Sequence, residues 1–233
     1  MTAIYLIRHG QASFGAENYD QLSSLGETQA KRLGQALAQR IHTFDAVSLG
    51  SMQRHRQTAE ICLHAMGQSL SADQWHQDTG WNEYDHQEIL ACQDDQWCTA
   101  SDVKKYLQRQ EDPKKAFANM FIQAMQRWMS GAYDSDYTET WLDYQKRVHS
   151  GLRNVKETLH KHQRVAVFTS GGPIALISQH LLGIAADQLM SLNWTLLNCG
   201  VTKLVLSKEG LFVASLNEHT AFEGMHKHLI SYR

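Results

Sequence analysis

Short apolar runs in this chain alternate with stretches of helical periodicity, and that alternation restricts the fold more than any other feature. Residues 2–7 form a brief apolar run with β-branched members, which predicts a buried parallel strand. Residues 24–41 carry Ala30, Leu33, Leu37 and Ile41 at helical spacing, after a Ser24-Leu25-Gly26-Glu27 segment that fits a capping box. Residues 45–49 predict a second strand. Residues 53–66 predict a second helix, with Ala59, Cys62, Leu63 and Met66 inward and Gly67 as its stop. Residues 164–169 predict a third strand, followed by Ser170-Gly171-Gly172-Pro173 and a helix over 174–182 with Pro173 at its first position. Near the end, residues 201–206 and 211–217 flank Ser207-Lys208-Glu209-Gly210 and read as a hairpin, so one late strand runs antiparallel.

Strands alternating with helices imply an α/β fold, a three-layer α/β/α core on a mostly parallel sheet with one antiparallel strand. The stretch from about 84 to 143 departs from this rhythm. It is rich in Gln, Asp, Trp and Met, and Phe117, Met120, Phe121, Ala124, Met125 and Trp128 lie on one helical stripe. It reads as a helical cap inserted into a single domain spanning 1–233. A second stripe, Trp141, Val148, Leu152, Val155 and Leu159, reads as the helix that returns to the core.

Composition excludes several classes. A formal net charge of −2 over 233 residues gives no electrostatic footprint for nucleic acid. No apolar stretch approaches the roughly 18 residues a membrane span needs, and the first residues lack the basic segment of a signal peptide. Cys62, Cys92, Cys98 and Cys199 form no CxxC pair, so reduced thiols and a cytoplasmic location are expected. The 13 histidines are scattered without carboxylate or cysteine partners at ligand spacing, and no metal site is expected.

The chemistry concentrates where the strands end. Arg8-His9-Gly10 follows the first strand, the place where α/β folds hold their ligands. A neutral imidazole attacks phosphorus, and an arginine fork binds phosphate oxygens in a bidentate manner. The segment from Gly50 to Glu60 opens a helix with Arg54 and Arg56 on its first turns, a ready anion site, and the two arginines are not separable by chemistry alone.

Together these segments resemble the histidine phosphatase superfamily, in the branch of phosphoglycerate mutase-like phosphatases. Arg8-His9-Gly10-Gln11-Ala12 resembles its signature, residues 20–30 its next helix start, residues 51–60 its second phosphate-binding segment, and Asn82-Glu83 the segment carrying its acid. The resemblance covers about residues 3–90 and 140–219. It implies that His9 is the nucleophile that becomes phosphohistidine. Arg8 and Arg54 (rather than Arg56) would hold the phosphoryl oxygens, and Glu83 would be the proton donor and acceptor. Ser13 is a candidate hydroxyl contact to phosphate. The implied partner is a small-molecule phosphate ester, with no cofactor, and oligomerisation is neither excluded nor required.

One position departs from the pattern. Where the family places a second histidine, in a His-Gly-Gly turn after the third core strand, this chain has Ser170. A serine still donates a hydrogen bond to phosphate but brings no charge. Backbone N–H groups of Gly171 and Gly172 are expected to keep some anion affinity. His219 and His86 are the candidates to complete the site. The departure leaves a non-catalytic phospho-ligand-binding or regulatory module as the alternative to a phosphatase, and a phosphoglycerate mutase as the lesser one.

Overall fold

The computed structural model describes residues 2–13 and 20–232. The chain divides into two compact units, Met1–Glu83 with Arg147–Arg233, and Tyr84–Lys146.

The first unit is built on strands β1 (Ala3–Arg8), β2 (Ala46–Leu49), β3 (Trp75–Gln77), β4 (Arg164–Thr169), β5 (Val201–Ser207) and β6 (Gly210–Glu218). They form one sheet in the order β3-β2-β4-β1-β5-β6. The pairs β3·β2, β2·β4 and β4·β1 are parallel, whereas β5 runs antiparallel to both β1 and β6. The expected single antiparallel strand is therefore β5, and β6 completes the expected hairpin. Strand β3 has no counterpart among the expected elements. Its Trp-His-Gln is partly exposed and only three residues long, too short to show a period.

Helices α1 (Ser24–Arg40) and α2 (Gln53–Ala65) supply Leu33, Leu37 and Leu63 to a cluster with Tyr5, Ile7, Val47 and Phe168 of the sheet. The intervening Ile4, Leu6, Val165 and Val167 are equally buried and, by the two-residue period of a strand, point to the opposite face. This burial on both faces is why the core strands read as unbroken apolar runs. The cap of α1 is Ser23, not the Ser24 of the predicted box: its hydroxyl accepts from the Gly26 N–H. Gly26 itself lies where a Cβ would come within 2.1 Å of the Gln11 carbonyl oxygen, so α1 packs directly on the loop after β1.

The second unit holds α3 (His86–Gln93), α4 (Ala100–Gln108), α5 (Pro113–Met129) and the first turns of α6 (Trp141–Thr158). Of the predicted stripe on α5, Met120, Phe121, Ala124, Met125 and Trp128 are buried and Phe117 is half-buried, and Trp128 meets Tyr84, Trp141 and Tyr144 ring to ring. In the first unit follow α7 (Gly171–Leu182) and α8 (Leu189–Thr195). Helix α7 starts at Gly171, so Pro173 is its third residue rather than its first. Among the described residues no helix is long and apolar enough to cross a membrane, and no cluster of three or more His, Cys, Asp or Glu is placed to hold a metal ion. All four cysteines are unpaired, and burial pushes the Cys62 thiol up to about 12.

Candidate active site

The sheet order places β4 between β1 and β2, with Arg8 beside Thr169 and Leu49 beside Phe168. The segments leaving the carboxyl ends of these three strands therefore converge: Arg8-His9-Gly10, Gly50–Arg54 and Thr169–Ser170. Parallel strands make this meeting unavoidable once the order is set, since all three chains exit on the same edge. The groups of this site all belong to the first unit.

His9 is fixed through its backbone and its ring. Its N–H donates to the Thr169 carbonyl at 2.9 Å, and its own carbonyl accepts from Asn198 Nδ2 at 3.1 Å. Ring Nδ1 lies 2.6 Å from the Gly10 carbonyl, which can only accept, so Nδ1 carries the proton. Nε2 is then a lone pair, and it accepts from Arg54 Nε at 3.1 Å. Burial, then the Arg54 charge, the repulsion that a second proton on neighbouring His55 would bring, and the Arg8 charge hold the His9 imidazole well below its ordinary value of 6.5, against a smaller opposing pull from the Gly10 carbonyl. The ring is neutral, with its nucleophilic nitrogen facing a guanidinium.

Arg54 is nearly buried, with a side chain 8% exposed, and Asp20 Oδ1 holds its Nη1 at 2.7 Å. The other oxygen of Asp20 accepts the Gln53 N–H at the start of α2, so one carboxylate fastens both the helix and its arginine. Arg56 points elsewhere. It is exposed, lies near Glu60 and Gln77, and takes no part in this cluster. Burial separates the two arginines where chemistry alone did not. Arg8 Nη1 donates to the carbonyls of Leu196 and Tyr232. A Cβ on Gly171 would fall 3.5 Å from Arg8 Nε, so this guanidinium lies against the start of α7.

Glu83 comes to the same helix start: its Oε2 accepts the Gly172 N–H at 3.1 Å. The turn before it is pinned from three sides. Thr169 Oγ1 donates to the Trp81 carbonyl at 2.6 Å, Arg147 donates to the Asn82 carbonyl at 2.8 Å, and Asn82 Oδ1 accepts the Ser51 N–H at 2.7 Å. One of the two backbone donors expected to hold an anion, at Gly172, is thus already committed to a carboxylate. Ser13 donates its hydroxyl to the Leu22 carbonyl at 2.9 Å, a bond it would have to give up to serve a phosphate.

Ser170 is completely buried and caps α7 by position, yet its hydroxyl makes no capping bond. It lies 2.8 Å from Nε2 of His55 instead. His55 is the residue after Arg54, fully buried, with its ring centroid 5.6 Å from that of His9. Burial, then the Arg54 charge, keeps it neutral, with its pKa well below 6.5. Neither histidine expected to complete the site is the one found beside Ser170. His219 pairs its Nδ1 with the Asn217 carbonyl on its own strand end, and His86 belongs to the second unit. The sequence signal for His55 is present but local: a third basic residue inside Arg54-His55-Arg56, which reads as a solvated helix start.

A neutral imidazole with a bare Nε2, two guanidiniums and a carboxylate nearby form an arrangement suited to a tetrahedral dianion and to transfer of its central atom. Comparison with known proteins agrees with this chemistry. A family model, histidine phosphatase superfamily (branch 1), matches residues 4–119 and 108–219. No curated protein matches the chain by sequence. Among solved structures, YhfR of Bacillus stearothermophilus superposes with a TM-score of 0.67 at 19% identity, over 96% of this chain and 100% of that one. Phosphoglycerate mutase of Bacillus anthracis gives 0.65 at 17% identity, over 94% of each chain. An Entamoeba histolytica phosphoserine phosphatase variant in complex with phosphoserine gives 0.63 at 17% identity, over 95% of this chain and 99% of that one.

Proposed function

Because this chain belongs to the histidine phosphatase superfamily, branch 1, we propose that it hydrolyses phosphate monoesters through a phosphohistidine formed on His9. The observation that carries this reading is the His9 ring itself, neutral, with its Nδ1 proton committed to Gly10 and its Nε2 lone pair facing Arg54.

In the first step Nε2 of His9 attacks phosphorus while the bond from phosphorus to the ester oxygen breaks. Protonated Glu83 gives its proton to that oxygen, and the alcohol leaves. In the second step water attacks the phosphohistidine. Glu83, now a carboxylate, takes one water proton, the bond from phosphorus to nitrogen breaks, and its electron pair returns to Nε2. Hydrogen phosphate and neutral His9 result. Arg8 and Arg54 hold the equatorial oxygens, and their fixed positions stabilise the charge those oxygens carry in a loose transition state. To admit phosphate, Arg54 exchanges its bond to Nε2 for one to an oxygen, while Asp20 keeps the guanidinium in place.

The substrate is a small phosphate ester, as in the phosphoserine complex of the structural relative. We take the helical stretch from about 84 to 143 as an insertion within a single catalytic domain spanning 1–233. We place the reaction in the cytoplasm, whose reducing conditions suit four unpaired thiols. A second reading, phosphate-ligand binding without turnover, draws on the uncharged Ser170 where the resemblance calls for a histidine.

Incubation with an aryl phosphate tests both. Turnover by the wild type, its loss in His9→Ala, and an acid-labile mass gain of one phosphoryl group on quenched enzyme are expected. Release of phosphate that survives in His9→Ala overturns the mechanism. Tight phosphate binding without release selects the second reading.

A further inference from the structure

The proposed reaction leaves one buried histidine unused. His55 and Ser170 are 115 residues apart in sequence, one on α2 and the other just before α7, and are both wholly removed from solvent, yet they face each other at 2.8 Å. Neither has an ordinary structural reason to be polar. Ser170 stands at a helix N-cap but does not cap, and Nδ1 of His55 has no hydrogen-bond partner among the described residues.

The ring is also closely cradled. A Cβ on Gly50 would sit 2.4 Å from His55 Nδ1, so the glycine after β2 gives the imidazole its room. A side chain without a task would not need such a fit, and a buried polar atom without a partner costs about 1–3 kcal/mol.

Two neutral tautomers are possible. With the proton on Nδ1, a buried N–H would have no acceptor, and Nε2 would take up the Ser170 hydrogen. With the proton on Nε2, the bare atom is a lone pair, which proteins tolerate better than an orphaned N–H. Nε2–H then donates to Ser170 Oγ, and the hydroxyl hydrogen is left for another acceptor. The geometry points to His55 and Ser170 acting as one donor unit, in which His55 orients the Ser170 hydroxyl so that its hydrogen serves a phosphoryl oxygen held at His9.

This inference rests on the phosphatase reading and deepens it. His55 acts through Ser170 and is a positioning residue, and Ser170 is the group that touches the phosphoryl oxygen. The pair accounts for a serine at a position where the resemblance calls for a histidine. An imidazole is present in that corner, displaced by one layer and reaching the phosphate through a hydroxyl. It also sets an expectation for Ser170→His. The new ring would meet the His55 ring 2.8 Å beyond the old hydroxyl, in a place with no accessible surface.

The test uses the full chain with an aryl phosphate and five sets of variants. Ser170→Ala is expected to lower kcat by about 10²-fold, the usual cost of one transition-state donor. His55→Leu fills the space without a hydrogen bond and is expected to lower kcat by about 10–100-fold, the cost of comparable second-layer partners in metal sites, with KM within a few fold. The double variant should be no slower than Ser170→Ala. His55→Gln, whose amide can still donate, should keep more activity than His55→Leu. Ser170→His should gain activity only when combined with His55→Ala, which vacates the space.

Wild-type kcat in His55→Leu, or losses that multiply in the double variant, would overturn the pair. If the wild type releases no phosphate, the phosphatase reading fails on its own. Calorimetry with inorganic phosphate then reads the same variants: non-additive losses of affinity support the pair, and equal affinities overturn it. Failure of the wild type to bind inorganic phosphate overturns both.

Discussion

Arg54 donates from Nε to Nε2 of His9 at 3.1 Å, so the lone pair proposed to attack phosphorus is covered by a guanidinium until an oxyanion draws that guanidinium away. The contact keeps the imidazole neutral and keeps it waiting.

Two variants follow from this contact. Arg54→Ala should lower kcat/KM by about 10²–10³-fold, the cost of one preorganised charge-stabilising group. Asp20→Asn leaves Arg54 in place but loosens its Nη1 anchor, and should cost less, about tenfold, mainly in KM. Steady-state kinetics of the two variants check the order; a larger loss in Asp20→Asn would contradict the assignment of Arg54 as the group on phosphate.

Glu83 should matter in proportion to how poor the leaving group is. Glu83→Gln is expected to lose about 10²–10⁴-fold with an alkyl phosphate, and far less with a nitrophenyl phosphate, whose oxygen departs unprotonated. Equal losses on the two esters would remove Glu83 from the proton-donor role.

The buried histidines make stability depend on pH, and the sign is determined. His9 and His55 have folded pKa values well below 6.5, so above 6.5 both states carry them neutral and stability is at its full value. As pH falls below 6.5, the unfolded chain takes up protons that the folded protein refuses, and stability is lost until the depressed folded values are reached. Urea denaturation at pH 7.5 and pH 5.5 should show a lower midpoint at the acid pH. The drop should be smaller in His55→Leu, which removes one of the two groups. The same shift of His9 moves the acid limb of kcat/KM below the usual histidine range.

Gly26→Ala sets two effects against each other. Alanine in a helix interior is worth roughly 0.5–1 kcal/mol over glycine. Here its Cβ would sit 2.1 Å from the Gln11 carbonyl oxygen, and displacing backbone costs about 1–3 kcal/mol. Net destabilisation is expected, with a loss of activity, because the displaced loop after β1 also carries His9. A denaturation midpoint equal to or above that of the wild type would contradict the close packing of α1 on this loop.

Much of this molecule is legible in its sequence. Strand β4 follows from its apolar run, α1 and α2 from the 3.6-residue period, and β5 and β6 from the turn between them, the helices and hairpin to within a residue at each end; all are local properties of the chain. The resemblance to the histidine phosphatases, carried by Arg8-His9-Gly10 and the segment around Arg54, is legible for the same reason: each motif is a run of neighbours. The cap at Ser23 and the start of α7 at Gly171 differ from their expected places by a few residues. Helix ends are decided by one or two hydrogen bonds that several adjacent residues could make.

Ser170 shows where sequence stops. It is legible as a departure, and histidines distant in sequence are candidates to compensate, yet the ring that meets it is His55, the residue after Arg54. No periodicity assigns a partner to a buried histidine on a polar helix start. The pairing depends on β4 lying between β1 and β2, which brings the start of α7 against the first turn of α2. Sequence alone determined most of the core elements, though not β3, their order along the chain and which candidate groups stand at the strand ends, because those are set by neighbours along the chain. Tertiary structure decided which arginine is buried, which carboxylate holds it and which imidazole faces Ser170, because those are set by strand order and by the space that Gly50 leaves open.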